Sequence, residues 1–249
     1  MRRLVSFSLL FMLCACLLGC GGPTFVNYTP PKMPPPPAGL VSLADEQCPP
    51  TEYGRRDCLP GSALAELGCD VVSLPDDLLG GLDPAYPLLV CEIHPLLHDD
   101  LPEIMEGLEA SADYLLRGGG MWPVFTRYVI QDGDSLRLLG NPAAMQAAYA
   151  PIVSPEEALS YALAVTGDRA LYGLRRESGL AYAVDALEDT HVSETDDGYA
   201  VLLYHHQVFG CGPHWTSAVE VLVQPDCSWS QARTWDVFRD PDQDGLCVD

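Results

Sequence analysis

The apolar and polar positions first form a helical pattern in HDDLPEIMEGLEASADYLLRGGG. Apolar residues recur every three or four positions from Leu101 to Leu116, and this spacing predicts one packed face of an α-helix. Asp100, with an acidic residue three positions later, predicts the N-terminal cap, and the glycine triplet that begins at Gly118 predicts the end.

A second helical pattern, SPEEALSYALAVTG, has clearer end signals. Ser154 is a predicted N-cap, Pro155 suits the first turn, and Glu157 completes a capping box. Gly167 predicts the end, and the alanine, leucine and valine residues between these ends predict one packed face. A shorter helix is predicted in NPAAMQAAYAP.

Most other patterns in the body are typical of strands. VFTRYVIQDGDSLRLL predicts two strands joined by a turn at Asp132 and Gly133. After the second helix, the strand candidates are THVSE, YAVLLYHHQVF, TSAVEVLVQ and SQARTWDVF. A helix followed by such segments predicts an α+β fold, with helices packed on an antiparallel β-meander and stabilised by disulfides.

The first twenty residues, MRRLVSFSLLFMLCACLLGC, have a basic start, an apolar run and small residues before Cys20. This order is typical of an export signal, and the run is short for a membrane-spanning helix. The end, LLGC, resembles the lipobox of bacterial lipoproteins. The resemblance implies that residues 1–19 are a signal peptide and that Cys20 carries the lipid. The protein would then be anchored to a membrane of the bacterial cell envelope, outside the cytoplasm, with the outer membrane favoured. A conventional signal cut elsewhere, or an uncleaved anchor, is the alternative.

The next segment contains seven prolines between Pro23 and Pro37. Such a segment favours extended conformations without a core, which predicts a semi-rigid tether. Proline, glycine and cysteine are frequent between Cys48 and Cys91, which predicts an irregular, disulfide-held layer with a short helix at GSALAELG. The predicted organisation is a tether, a cysteine-rich region with a helix and a hairpin, and a helix with an antiparallel sheet, over 20–47, 48–150 and 151–249; alternatively, 48–249 form one domain.

The charge of the chain limits its partners. The formal net charge is −22, and it becomes −24 when Arg2 and Arg3 leave with the leader. Such an acidic body repels nucleic acid and anionic headgroups, so neither is expected to bind it. The predicted partners are the membrane, through the N-terminal lipid, and an unidentified protein or other envelope component.

Seven cysteines follow the leader and the lipid site, and in an exported chain they predict disulfides, with one thiol unpaired. The strand TSAVEVLVQ, about 30 Å long, would place Cys211 and Cys227 at opposite ends of the sheet. The next strand returns the chain, so we predict that Cys211 pairs with Cys247. The candidates for bridges are Cys48, Cys58, Cys69, Cys91, Cys211, Cys227 and Cys247.

The stretch HHQVFGCGPHW contains possible transition-metal ligands, His205, His206 and His214. Strand alternation sends His205 and His206 to opposite faces. Only one of them could therefore join His214, and a disulfide is favoured for Cys211.

The C-terminal stretch DPDQDGLCVD has aspartates at alternate positions before a glycine. It resembles the start of the calcium loops of EF-hand and thrombospondin type 3 repeats. The resemblance implies a possible Ca²⁺ site at Asp240, Asp242 and Asp244, with Asp249 in place of the glutamate that is missing. No other cofactor is predicted.

Common enzyme motifs are absent from the sequence, among them G-x-S-x-G, H-E-x-x-H and phosphate-binding glycine loops. The favoured hypothesis is a lipid-anchored, non-catalytic interaction or structural module. The alternatives are a metal-binding lipoprotein and a hydrolase with an unrecognised site, because a Ser/His/Asp triad is defined by geometry rather than by sequence order.

Overall fold

The computed structural model describes residues 35–52 and 55–248, so the leader, Cys20 and Asp249 lie outside the described part. The helices are α1 (Ala38–Gln47), α2 (Ala63–Glu66), α3 (Leu101–Ser111), α4 (Pro142–Tyr149) and α5 (Pro155–Thr166). The strands are β1 (Arg56–Asp57), β2 (Val71–Ser73), β3 (Leu88–Ile93), β4 (Leu116–Gly118), β5 (Val124–Asp132), β6 (Ser135–Leu139), β7 (Ala181–Tyr182), β8 (His191–Thr195), β9 (Gly198–His206), β10 (Gly210–Cys211), β11 (Trp215–Val223), β12 (Trp229–Arg239) and β13 (Cys247–Val248). Short 3₁₀ helices span Asp77–Gly81, Pro95–Leu97 and Pro241–Gln243.

The strands form two large antiparallel sheets and a two-stranded ribbon. The first sheet has the order β1-β2-β3-β5-β4, and β6 also pairs with β5. The second sheet has the order β7-β12-β11-β9-β8, and the ribbon joins β10 to β13. The predicted α+β fold, with helices, antiparallel strands and disulfides, is confirmed.

Helix α5 lies between the two large sheets and is buried along almost its whole length. Its residues share one core with Leu88 and Ile130 of the first sheet and with Leu203 and Val221 of the second. The sequence predicted one packed face for α5, but the helix is packed on two sides, because each side meets a sheet. Side chains from both predicted regions, 48–150 and 151–249, meet in this core.

The outer face of each sheet has its own cover. Leu40 of α1 and Leu64 of α2 pack with Leu89 and Val129 on the first sheet. A loop carrying Leu171, Leu174, Val184 and Leu187 packs on the second sheet over Leu202 and Tyr204. The chain thus forms two sheets with helices between them and a thinner layer on each outer side.

The tether predicted for 20–47 is wrong at its C-terminal end. Residues Ala38–Gln47 form α1, and Leu40 and Ala44 are buried. These two apolar residues lie one turn apart and meet the first sheet, so the segment belongs to the folded body. No helix in the described part of the chain is long and apolar enough to cross a bilayer.

The helix predicted up to Leu116 stops at Ser111, where Ala112 adopts a left-handed conformation, φ 49°. Asp100 makes no side-chain capping bond. Leu116 instead enters β4, because the backbone of β5 offers it a strand partner at Thr126.

The layer predicted as irregular between Cys48 and Cys91 contains three strands. The third, β3, has the sequence LLVCEI; Leu89, Cys91 and Ile93 on one face are buried, whereas Val90 and Glu92 on the other are half-buried. Four apolar residues in succession precede Glu92 and hide the alternation of a strand, which explains why the sequence pattern missed it.

Candidate functional site

A groove of about 470 Å³ opens where α5 ends against the second sheet. Its volume lies within the range of about 300–1,000 Å³ that is usual for ligand sites. We call it the His205 groove. It is lined by Leu115, Leu116, Arg117, Val165, Thr166, Asp168, His205, Ser217, Val219, Val221, Trp229, Gln231 and Thr234.

A smaller cavity of about 180 Å³ lies beside Pro35–Pro37, and its lining is apolar apart from Tyr86 and Tyr149. We place the candidate site in the His205 groove because it brings a carboxylate, an imidazole and a hydroxyl together.

Asp168 and His205 form a hydrogen-bonded pair in the lining of the groove. Gly167 ends α5 in a left-handed conformation, φ 69°, and the residue after Asp168 forms a backbone bridge to β9. Asp168 Oδ1 lies 3.0 Å from His205 Nδ1. The Asp168 side chain is 8% exposed, whereas His205 is 62% exposed.

The surroundings of this pair affect the charge of Asp168. Burial raises the pKa of Asp168, and hydrogen bonds with His205 and Thr166 oppose that rise. The carboxylate holds one ring nitrogen of His205, while no described residue forms a hydrogen bond to the other nitrogen, Nε2. This is the arrangement in which an imidazole can accept or donate a proton at Nε2.

Ser217 lies next to His205 on the neighbouring strand. The two residues are direct partners in the pairing of β9 with β11. The Ser217 hydroxyl donates a hydrogen bond to Asp236 Oδ1 of β12 at 2.9 Å. A carboxylate, an imidazole and a hydroxyl therefore occupy neighbouring positions across the sheet.

Sequence reasoning missed Asp168 and Ser217 as site residues and considered His205 only as a metal ligand. Asp168 directly follows the predicted end of a helix, and Ser217 lies within a predicted strand. Their proximity depends on the register of β9 with β11 and on the backbone bridge after α5, which no local pattern specifies.

The predicted transition-metal ligands lie in separate environments. His205 faces α5 and bonds to Asp168, whereas His206 bonds to Thr216 Oγ1 at 3.0 Å. Burial lowers the pKa of His206. His214 is buried, and its Nδ1 donates to the backbone oxygen of Gln207 at 3.0 Å.

Two of the predicted calcium ligands, Asp240 and Asp244, make contacts with neighbouring residues. Asp240 accepts hydrogen bonds from the backbone of Asp242 at 3.0 Å and from Gln243 Nε2 at 2.9 Å. Asp244 forms an ion pair with Arg239. Within the described residues, no three His, Cys, Asp or Glu side chains lie together as a metal site. Asp249 lies outside that part, and metal binding stays a prediction.

Six of the cysteines form three disulfides. The predicted partners Cys211 and Cys247 are bonded and stand opposite each other in the β10–β13 ribbon. The other bridges join Cys48 to Cys58 and Cys69 to Cys91. Cys227 is free and buried, and burial raises the pKa of its thiol to about 11.

Comparisons with protein-family models, with curated proteins and with solved structures find no match to this chain. Function is therefore inferred from the chemistry of its own residues.

Proposed function

We propose that the protein is a lipid-anchored component of the bacterial cell envelope and that its folded body is an interaction module. The observation that carries this proposal is the set of three disulfides in the body. Disulfides persist in oxidising compartments outside the cytoplasm and are rare inside it. This agrees with the export signal and the LLGC sequence that ends at Cys20.

The anchor and the body have different tasks in this proposal. Lipid chains on Cys20 hold the protein at a bilayer surface, and the prolines up to Pro37 separate the body from that surface. The strongly negative charge of the body opposes binding to anionic headgroups. We assign the binding of a partner to the His205 groove, where apolar side chains surround a few polar groups.

The test is to replace Cys20 by alanine in a bacterium that processes lipoproteins and to supply an alkyne-labelled fatty acid. The wild-type chain should carry the label and sediment with membranes, and Cys20→Ala should lose both properties. Cys16→Ala is the matched control, because it changes a leader cysteine outside the lipid position. Label that remains on Cys20→Ala would contradict the proposed anchor.

A further inference from the structure

Four polar residues lie next to one another in backbone register, from the loop after α5 across three strands of the second sheet, and the first three of them line the His205 groove. The order is Asp168, His205, Ser217 and Asp236, as the backbone bridge after α5 and the strand registers show. Hydrogen bonds join the first pair at 3.0 Å and the last pair at 2.9 Å. His205 therefore lies between a carboxylate that fixes its ring and a hydroxyl.

His205 and Ser217 project from the same face of the second sheet. Leu203 and Val219, two positions away from them along β9 and β11, belong to the core around α5. Side chains two positions apart on a strand share a face. The pairing of β11 with β12 is also irregular between Thr216 and Ser217, and such irregularities change the direction of a side chain and are frequent beside active sites.

We infer that the His205 groove is an acyl-transfer site in which Ser217 is the nucleophile, His205 the general base and Asp168 the residue that orients His205. The substrate class is a carboxylic ester with an apolar acyl group. This inference takes from the proposed function only the use of the groove as a binding surface, and it does not depend on the lipid at Cys20.

The reaction uses water and no other co-reactant. Ser217 Oγ attacks the ester carbonyl carbon, and its proton passes to His205 Nε2 while Nδ1 keeps its bond to Asp168. The tetrahedral intermediate then breaks its bond to the alcohol oxygen, which takes the proton from Nε2. A water molecule, deprotonated by His205 in the same way, cleaves the acyl-serine, releasing the carboxylic acid and restoring Ser217.

The starting geometry requires one change. In the structure, the Ser217 hydroxyl donates to Asp236, so rotation about its Cα–Cβ bond must turn the oxygen towards His205. Bonds between catalytic groups are often completed only when substrate is bound. Asp168 is well placed for its role, because a nearly buried carboxylate is stabilised when His205 becomes positively charged.

The lining of the groove indicates the substrate class. Leu115, Leu116, Val219 and Val221 provide an apolar wall that suits an acyl chain. Arg117 also lines the groove, with its Nε 4.0 Å from Glu109 Oε1, and in this inference its positive charge stabilises the oxygen that becomes negative in the intermediate.

The test uses the disulfide-bonded chain with a fluorophosphonate probe and with p-nitrophenyl butyrate. The probe should label Ser217, as shown by peptide mass spectrometry, and Ser217→Ala should lose the label and the ester hydrolysis. His205→Gln should slow labelling by at least about 100-fold. Ser193→Ala, on β8 outside the lining of the groove, is the matched control and should keep the wild-type rate.

Asp168→Asn tests the positioning role separately, because it should change the pH profile of labelling as well as its rate. No label on Ser217 in the folded wild type at saturating probe would overturn the inference without any variant. Equal labelling in wild type and His205→Gln would overturn it too. Membrane attachment through Cys20 would be unaffected by either result, so the two proposals fail independently.

Discussion

Removal of the Cys211–Cys247 bridge should destabilise the protein, because the unfolded chain gains conformational entropy when it is no longer closed into a loop. The bridge closes a loop with a sequence separation of 36, which corresponds to about 3.8 kcal/mol in the chain-entropy model. Both cysteines are exposed, so the double variant Cys211→Ser/Cys247→Ser leaves no buried cavity. The free energy of unfolding decreases by this full amount only if the tail unfolds together with the second sheet.

The assay is urea unfolding at equilibrium, followed by tryptophan fluorescence. We expect the double variant to lose about 3–4 kcal/mol of unfolding free energy with an unchanged dependence on urea. Gln243→Ala, an exposed change in the same tail, is the control and should stay within about 0.5 kcal/mol of wild type. A loss below about 1 kcal/mol in the double variant would show that the tail detaches by itself and would refute the reasoning.

Three further predictions follow from local geometry. Burial raises the pKa of Asp168, so the ionisation of this carboxyl weakens the fold as the pH rises above the ordinary range of a carboxyl; in urea unfolding, the stability of Asp168→Asn relative to wild type should increase as the pH rises through and above that range, and a decrease would contradict this. A Cβ at Gly81 would lie 2.5 Å from the backbone oxygen of Glu156, so Gly81→Ala should lower the unfolding free energy by about 1–3 kcal/mol. Gly107→Ala, with open space around the new Cβ, should raise the free energy of unfolding by up to about 1 kcal/mol. Equal effects of the two changes would contradict the close contact between Gly81 and Glu156. If Asp240, Asp242 and Asp244 bind Ca²⁺ as their spacing predicts, calcium at about 1 mM should raise the melting temperature by several degrees; an unchanged melting temperature would contradict the predicted site.

Long periodic segments were predictable from the sequence. Ser154 caps α5 and Gly167 ends it, as expected from the cap and glycine signals. The hairpin of β5 and β6 and the strands β8, β9, β11 and β12 also lie in the segments predicted for them. The Cys211–Cys247 bridge followed from the length and direction of two predicted strands.

Elements that depend on distant contacts were harder to predict. The apolar residues Leu115 and Leu116 continue a helical spacing, but the backbone of β5 binds them as a strand. The same limit applies to the site. His205 can be selected as a candidate from the sequence. Asp168 and Ser217 can be recognised as site residues only when the backbone pairing that places them beside His205 is known.

We propose that the body is exported, disulfide-bonded and anchored through Cys20. Mass spectrometry of the non-reduced protein isolated from membranes examines the anchor and the bridges in one experiment. We predict an N-terminal peptide that begins at Cys20 and carries lipid, three bridges with the pairing described above, and one unmodified thiol at Cys227. An unlipidated chain that begins at Met1, with reduced Cys211 and Cys247, would contradict the claim.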